Sequence, residues 1–178
     1  MTSGGSASTS TLRPTANAVA GVDQNRALEL GVAAALMATY GADSGASLDV
    51  DALVTGAPGE ATGTTRARCL TLLLPALTRA AAGDWATALA SFHSAAHEGA
   101  DATDLDLLSH LGNTALHLGD DQAHLRAFTA MATGARDVGA GMLVLYALPR
   151  LGFSQLVTGQ WAALRDNAEE ARALSASV

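Results

Sequence analysis

At 178 residues the chain is long enough for one domain or a short array with a real core. Apolar residues make up 49% of it but aromatics only 4%, so that core must rest on close contacts between small side chains. The net charge of −7 excludes a polyanion-binding surface, and with it nucleic-acid binding through this segment. All ten basic residues are arginine; without lysine there is no P-loop and no Schiff-base or lysine-base chemistry.

Residues 1–23 are mostly Ser, Thr, Gly and Ala, with Pro14 and few large apolar side chains. They cannot bury enough surface to offset their ordering entropy, and a disordered tail is expected. No charged start followed by an apolar run marks a signal peptide. Leu28, Val32, Leu36 and Met37, with Tyr40 beyond, recur at helical spacing and predict a helix over 24–40 that Gly41 stops. The segment 42–63 carries Gly45, Gly56, Pro58, Gly59 and Gly63 around an apolar patch at Leu48, Val50, Leu53 and Val54. That is long for a structureless loop and leaves room for a short helix near 47–55.

From 64 to 178 the helices follow closely, at 64–82, 84–98, 103–118, 121–137, 141–158 and 160–175. Gly83, Gly99, Gly119, Gly139 and Gly159 stand where each helix is expected to end in a left-handed turn, which glycine adopts without steric cost. Asp84 and Asp120 follow as N-caps, and Thr103 with Asp106 reads as a capping box. Pro75 and Pro149 fall inside predicted helices and imply a kink or a break. Cys69 sits alone in an apolar run, which reads as a buried, inert thiol in a reducing compartment. The apolar runs around Gly31–Met37 and Met142–Leu148 are too short to span a bilayer. A cytoplasmic protein with no membrane contact is expected.

One short pattern recurs through this region. Gly83-Asp84-Trp85 precedes Ala88, Phe92 and Ala95; Leu111-Gly112 and Gly119-Asp120 precede Phe128; Leu151-Gly152 and Gly159-Gln160-Trp161 precede Ala168 and Ala171. Such a period signals stacked helical hairpins, about three of them. Small residues at the crossings (Gly112, Gly152, Ala88, Ala95) permit close approach, while Phe92 and Phe128 fill the remaining space. Trp85 and Trp161 are expected to pack back across the preceding helix, and truncating Phe92 or Trp161 to cost about 3–5 kcal/mol.

The Leu-Gly pair, the later glycine and the aromatic beyond it resemble the tetratricopeptide repeat over about residues 69–175. The fold expected is therefore all-α, a tetratricopeptide-like array of antiparallel helical hairpins behind a disordered N-terminal tail. The phrase GQWAALRDNAEEARAL, from Gly159 to Leu174, is similar to the repeat region of large ATP-binding LuxR-family (MalT-like) transcriptional regulators. That resemblance implies a regulatory sensing or interaction module. The ATPase and helix-turn-helix parts of such regulators have no counterpart here, so a fragment or truncated relative is expected. A free-standing tetratricopeptide-like adaptor is the alternative. The resemblance also implies a ligand face on the first helix of the middle pair, carrying Ser109, His110, Asn113 and His117. Asn113 follows Leu111-Gly112, where peptide-binding members carry an asparagine that grips the ligand backbone or its C-terminal carboxylate; the lysines that complete that clamp are absent. The corresponding positions in the flanking pairs are apolar: Leu73, Leu77 and Ala80, then Phe153, Leu156 and Val157. A protein or peptide segment, or a small inducer, is the expected partner, and an exposed last helix would favour self-association.

No catalysis, cofactor or metal is expected. His93 and His97 are spaced to hold a metal but lack the carboxylate and cysteine partners of known arrangements, and read as solvated or helix-end histidines. Glu169 and Glu170, with Arg165 and Arg172, read as a solvated face. Gly152-Phe153-Ser154 approaches a nucleophile elbow, but Leu156 stands where glycine is required.

Overall fold

The computed structural model describes residues 6–20, 22–39 and 63–176. Among them the regular structure is all α, with eight helices and no strand. No described helix is long and apolar enough to cross a membrane. The chain divides into two compact units, Met1–Ala100 and Asp101–Val178. The helix expected near 47–55 lies outside the described residues.

In the first unit α1 (Ser6–Val19), α2 (Gln24–Thr39), α3 (Thr65–Ala81) and α4 (Trp85–Glu98) pack in chain order, each on the next. Over the described residues 6–19 the helix α1 stands where a disordered tail was expected. The stretch from Ser6 to Ala20 contains no glycine, and Ala16 is fully buried, so a small side chain lets α1 approach α2 with little apolar surface. In α3 the Thr64 hydroxyl accepts from the Ala67 amide at 3.2 Å, and Leu70, Leu73, Leu74 and Leu77 line the buried stripe. The stripe meets Ala88, Phe92 and Ala95, the buried residues of α4. Glu29 pairs with Arg66 at 3.0 Å across α2 and α3, and Arg68 with Glu98 across α3 and α4. Burial pushes the Cys69 thiol up to about 11, and it donates to the Ala95 carbonyl at 3.4 Å. A thiol so held stays protonated and unreactive near neutrality.

The second unit contains α5 (Leu105–Leu118), α6 (Asp121–Asp137), α7 (Gly141–Val157) and α8 (Trp161–Ser175), again each packed on the next. Its core gathers Leu108, Phe128, Met131, Ala132, Ala135, Val144, Ala147, Leu148 and Leu151. One closing bond recurs at four turns. Gly83, Gly119, Gly139 and Gly159 are left-handed, with φ of 83°, 77°, 69° and 74°. In each turn the next residue donates its amide five positions back, Asp84 to Arg79, Asp120 to Ala115, Ala140 to Ala135 and Gln160 to Gln155. Gly99 departs from the expectation, with φ −94°, because the longer link from 99 to 104 needs no such reversal. Asp84 and Asp120 cap as expected, accepting from the Thr87 and Ala123 amides at 3.3 and 2.9 Å. The α5 cap is Asp104 rather than Thr103, accepting from the amides of Asp106 and Leu107 at 3.0 and 3.1 Å.

Of the two alternatives at Pro75 and Pro149, the break is excluded: α3 and α7 run through both prolines, since burial of the leucines around each outweighs one missing backbone bond. Packing also places the two tryptophans and Glu170 differently from expectation. Trp85 and Trp161 are 48% and 58% exposed. At the first helical position a side chain folds back over the preceding turn, and the Trp161 indole nitrogen lies over Gly159. Glu170 does not pair along its own helix. It takes two bonds from Arg136 of α6, at 2.7 and 2.6 Å, which hold its carboxyl below the usual carboxylate range. The pair is half exposed and stabilises by at most about 1 kcal/mol.

The crossing of α5 and α6 turns on Gly112. A methyl group there would stand 2.4 Å from Cε2 of the Phe128 ring, which is fully buried and has no room to retreat. Overpacking of this kind costs about 1–3 kcal/mol, against about 1 kcal/mol gained in helix propensity. Gly112→Ala is therefore expected to lower stability, and Phe128→Leu in the same chain to recover part of the loss. A double-mutant cycle by urea unfolding checks this; additive effects would show that the two residues do not share the space.

Candidate functional site

Two polar pairs, each spaced i, i+4 and so on one helical face, meet across the second unit. Ser109 and Asn113 come from α5, Tyr146 and Arg150 from α7. The Asn113 amide nitrogen donates to the Ser109 hydroxyl at 3.3 Å and to the Tyr146 hydroxyl at 3.0 Å. Its oxygen accepts from Nε of Arg150 at 3.3 Å. The Ser109 and Tyr146 hydroxyls lie 3.1 Å apart. Both amide hydrogens of Asn113 are thus committed within the fold.

Arg150 is fixed more firmly than a surface arginine. Its guanidinium carbon stands 3.5 Å from the centre of the Tyr146 ring, a cation–π stack. Nη1 donates to the Tyr146 carbonyl at 2.8 Å. Nε and one hydrogen of Nη1 are used; of the five N–H donors, the rest of the fork has no partner among the described residues.

Beneath this layer lies His124 of α6, fully buried. Nδ1 is 2.9 Å from the Gly112 carbonyl, and Nε2 is 2.9 Å from the Arg150 carbonyl. The ring thus sits between the backbone next to Asn113 and that of Arg150; both partners are acceptors, so in the neutral ring the single N–H donates to one carbonyl at a time. The ring also packs against Phe128, centroid to centroid 4.8 Å, and Phe128 reaches Tyr146 at 6.2 Å. The Gly112 gap that admits Phe128 is the same gap that brings α5 and α6 close enough for the His124 bond. Packing thus sets the position of the polar layer.

Of the residues singled out from the sequence, Ser109 and Asn113 are brought into one network. His110 and His117 lie along the same helix, both half-buried, and desolvation holds the His117 ring below its usual pKa. Sequence reasoning missed Tyr146, Arg150 and His124. The signal for the first two was an equal offset: Ser109 to Tyr146 and Asn113 to Arg150 are each 37 apart. The counterpart positions differ in kind. Leu73, Leu77 and Ala80 are buried, while Phe153, Leu156 and Val157 are about half exposed. Phe153 and Leu156 line a mainly apolar groove of about 470 Å³, formed with Leu148, Pro149 and Gly152 of α7 and Leu164, Asn167, Ala168 and Ala171 of α8. Among the described residues no group of three or more His, Cys, Asp or Glu side chains is placed to hold a metal.

Comparison with known proteins gives no further lead: no family model matches the chain, and no curated protein or solved structure matches it significantly.

Proposed function

We propose that the chain is a non-enzymatic, cytoplasmic helical-repeat module, similar to the sensing repeat region of ATP-binding LuxR-family regulators. Its Ser109–Asn113–Tyr146–Arg150 surface would receive a protein or peptide segment, or a small inducer. The observation that carries this reading is the polar layer itself. Side chains of two helices are locked into one arrangement from below by His124, and the arrangement leaves donors of Arg150 unspent. Preorganisation of that kind reduces the ordering cost of binding. The recurrence of one turn geometry along the helices supports the repeat reading. In the alternative, a free-standing tetratricopeptide-like adaptor uses the same surface.

The test is an amide-resolved NMR titration with a pooled peptide library. Perturbations clustered on 109–113 and 146–150 support the proposal. Perturbations confined to other surfaces, or none, would overturn it.

A second reading rests on the exposed side chains Phe153, Leu156, Val157 and Trp161, an apolar surface beside the α7–α8 groove. It is the candidate face for self-association. Sedimentation velocity should then show concentration-dependent association that Phe153→Ser with Leu156→Ser abolishes; an unchanged monomer throughout would remove this reading.

A further inference from the structure

We propose that the groove between α7 and α8 docks an amphipathic α-helix of another protein, one with a large aromatic side chain at the centre of its apolar stripe. This surface is separate from the α5–α7 polar layer, and its occupant differs from the second copy considered above. Two grooves of the second unit share one register. α7 lies against Leu108, Ser109 and Asn113 of α5 and against His124, Phe128 and Met131 of α6. Gly112 admits the Phe128 ring. The Leu-Gly pairs at 111–112 and 151–152 stand 40 residues apart. Moved by that step, each of these positions falls on a wall of the open groove: Leu148, Pro149, Gly152 and Phe153 on α7, then Leu164, Ala168 and Ala171 on α8. The seat that α7 fills is thus built a second time, and among the described residues no helix lies in it.

The walls select the occupant's chemistry. Both are helices, so an extended segment would bring backbone N–H and C=O groups that find no strand edge there, whereas a helix satisfies its own. Where the first seat presents Ser109, Asn113 and His124, the groove presents Pro149, Phe153 and Leu164. An apolar stripe at i, i+3, i+4 and i+7 answers that surface. The polar residue of the wall, Asn167, donates to Gln155 at 3.0 Å. Ala168 stands where Phe128 fills the first seat, so the missing ring must come from the occupant. The pairs Ser109–Tyr146 and Asn113–Arg150 ascend together; α7 therefore runs parallel to α5, and the docked helix parallel to α7. A second copy offers no such helix. Among the described residues its exposed phenylalanine and tryptophan side chains are Trp85, Phe153 and Trp161. Phe153 belongs to the wall itself, and each tryptophan opens its helix instead of standing within a stripe. A net charge of −7 favours a partner whose outer face is basic.

The test uses the full chain and synthetic peptides of about five helical turns with lysine on the polar face. One carries a leucine stripe with a central phenylalanine, one has alanine in place of that phenylalanine, and one has the stripe scrambled. Fluorescence anisotropy reads affinity, and the methyl resonances of Leu148, Leu156 and Leu164 locate the site. The phenylalanine peptide should bind wild type about 10- to 100-fold more tightly than the alanine peptide, as burial of one aromatic side chain implies. The scrambled peptide should not bind. Ala168→Phe supplies the ring from the wall and should reverse the preference between the two, with circular dichroism confirming its fold. Because the phenylalanine–alanine comparison is made on wild type, it stands even if the variant fails to fold. Equal binding of all three peptides, or none, overturns the proposal. Peptide shifts confined to 109–113 and 146–150 would uphold the polar-layer reading and overturn this one. If toluene moves the three leucine methyls and no peptide does, the groove is a small-molecule site and the helix is excluded. If wild type alone associates in sedimentation velocity, Ala168→Phe abolishes this and no peptide competes, the occupant is a second copy and the partner helix is excluded.

Discussion

Phe128→Ala is expected to destabilise the protein by about 3–5 kcal/mol, while Trp161→Ala should cost less than about 1 kcal/mol. Composition alone would rank the tryptophan higher, since it carries the larger apolar area. Its position decides otherwise: Trp161 is 58% exposed and Phe128 fully buried. The Phe128 ring occupies the gap opened by the absent side chain of Gly112, touches His124 and lies within reach of Tyr146 and the Arg150 guanidinium. Removing it leaves a cavity that three helices would have to collapse to fill. Typical domain stabilities are only about 5–15 kcal/mol, so the loss is a large share of the total. Urea unfolding at constant m-value reads both variants directly. Equal midpoint shifts for the two would show that the burial seen here does not govern stability.

The same contrast shows what could be read from the chain and what could not. Turn chemistry was legible because it is local. Gly83, Gly119, Gly139 and Gly159 close their helices as their spacing implied, and Asp84 and Asp120 cap the helices that follow. Gly99 was misread because the need for a left-handed residue depends on how quickly the chain must reverse, which is a property of the whole link. Phe92 and Phe128 were legible as core because they fall mid-helix on an alanine-rich face. Trp85 and Trp161 were not, because a residue at the first helical position covers its own turn. The helix over Ser6–Val19 escaped a composition argument for a related reason: alanine packing needs little apolar area, and that shortage was the ground for expecting disorder.

The site was half legible. Asn113 stood out through its place after Leu111-Gly112, and Ser109 lies one turn before it. Arg150 and Tyr146 answer them only if α7 is displaced along α5 by a particular amount. The Leu-Gly pairs are 40 residues apart, whereas the polar partners are 37 apart. No local pattern fixes that displacement; the Gly112–Phe128 contact and the core around it do. His124 gave no sign at all. It follows Asp120-Asp121-Gln122 in the first turn of α6, a setting that reads as solvated until the close crossing at Gly112 covers it.

His124→Ala should be the second severe substitution, at about 2–4 kcal/mol, and its pattern of rescue tests the tie itself. Inside a helix each carbonyl already accepts an amide four residues on, so a ring N–H engages a second lone pair; a neutral imidazole carries one N–H and donates to one of the two carbonyls at a time. That bond is worth about 0.5–1.5 kcal/mol, and the buried ring supplies the rest through its contact with Phe128. His124→Leu keeps most of the volume and loses the donor. His124→Asn places an amide nitrogen near the Nδ1 position and can restore the Gly112 bond; His124→Gln places one near Nε2 and can restore the bond to Arg150. Both should therefore be more stable than His124→Leu, although leucine is the better hydrophobe. The two should also differ in a second measurement. Only glutamine would retain the bond to the Arg150 backbone, so the Arg150 Nε–H resonance should stay closer to wild type in His124→Gln than in His124→Asn. Were His124→Leu as stable as wild type, with that resonance unmoved, the histidine would be filling space and the polar layer above it would be held by something else.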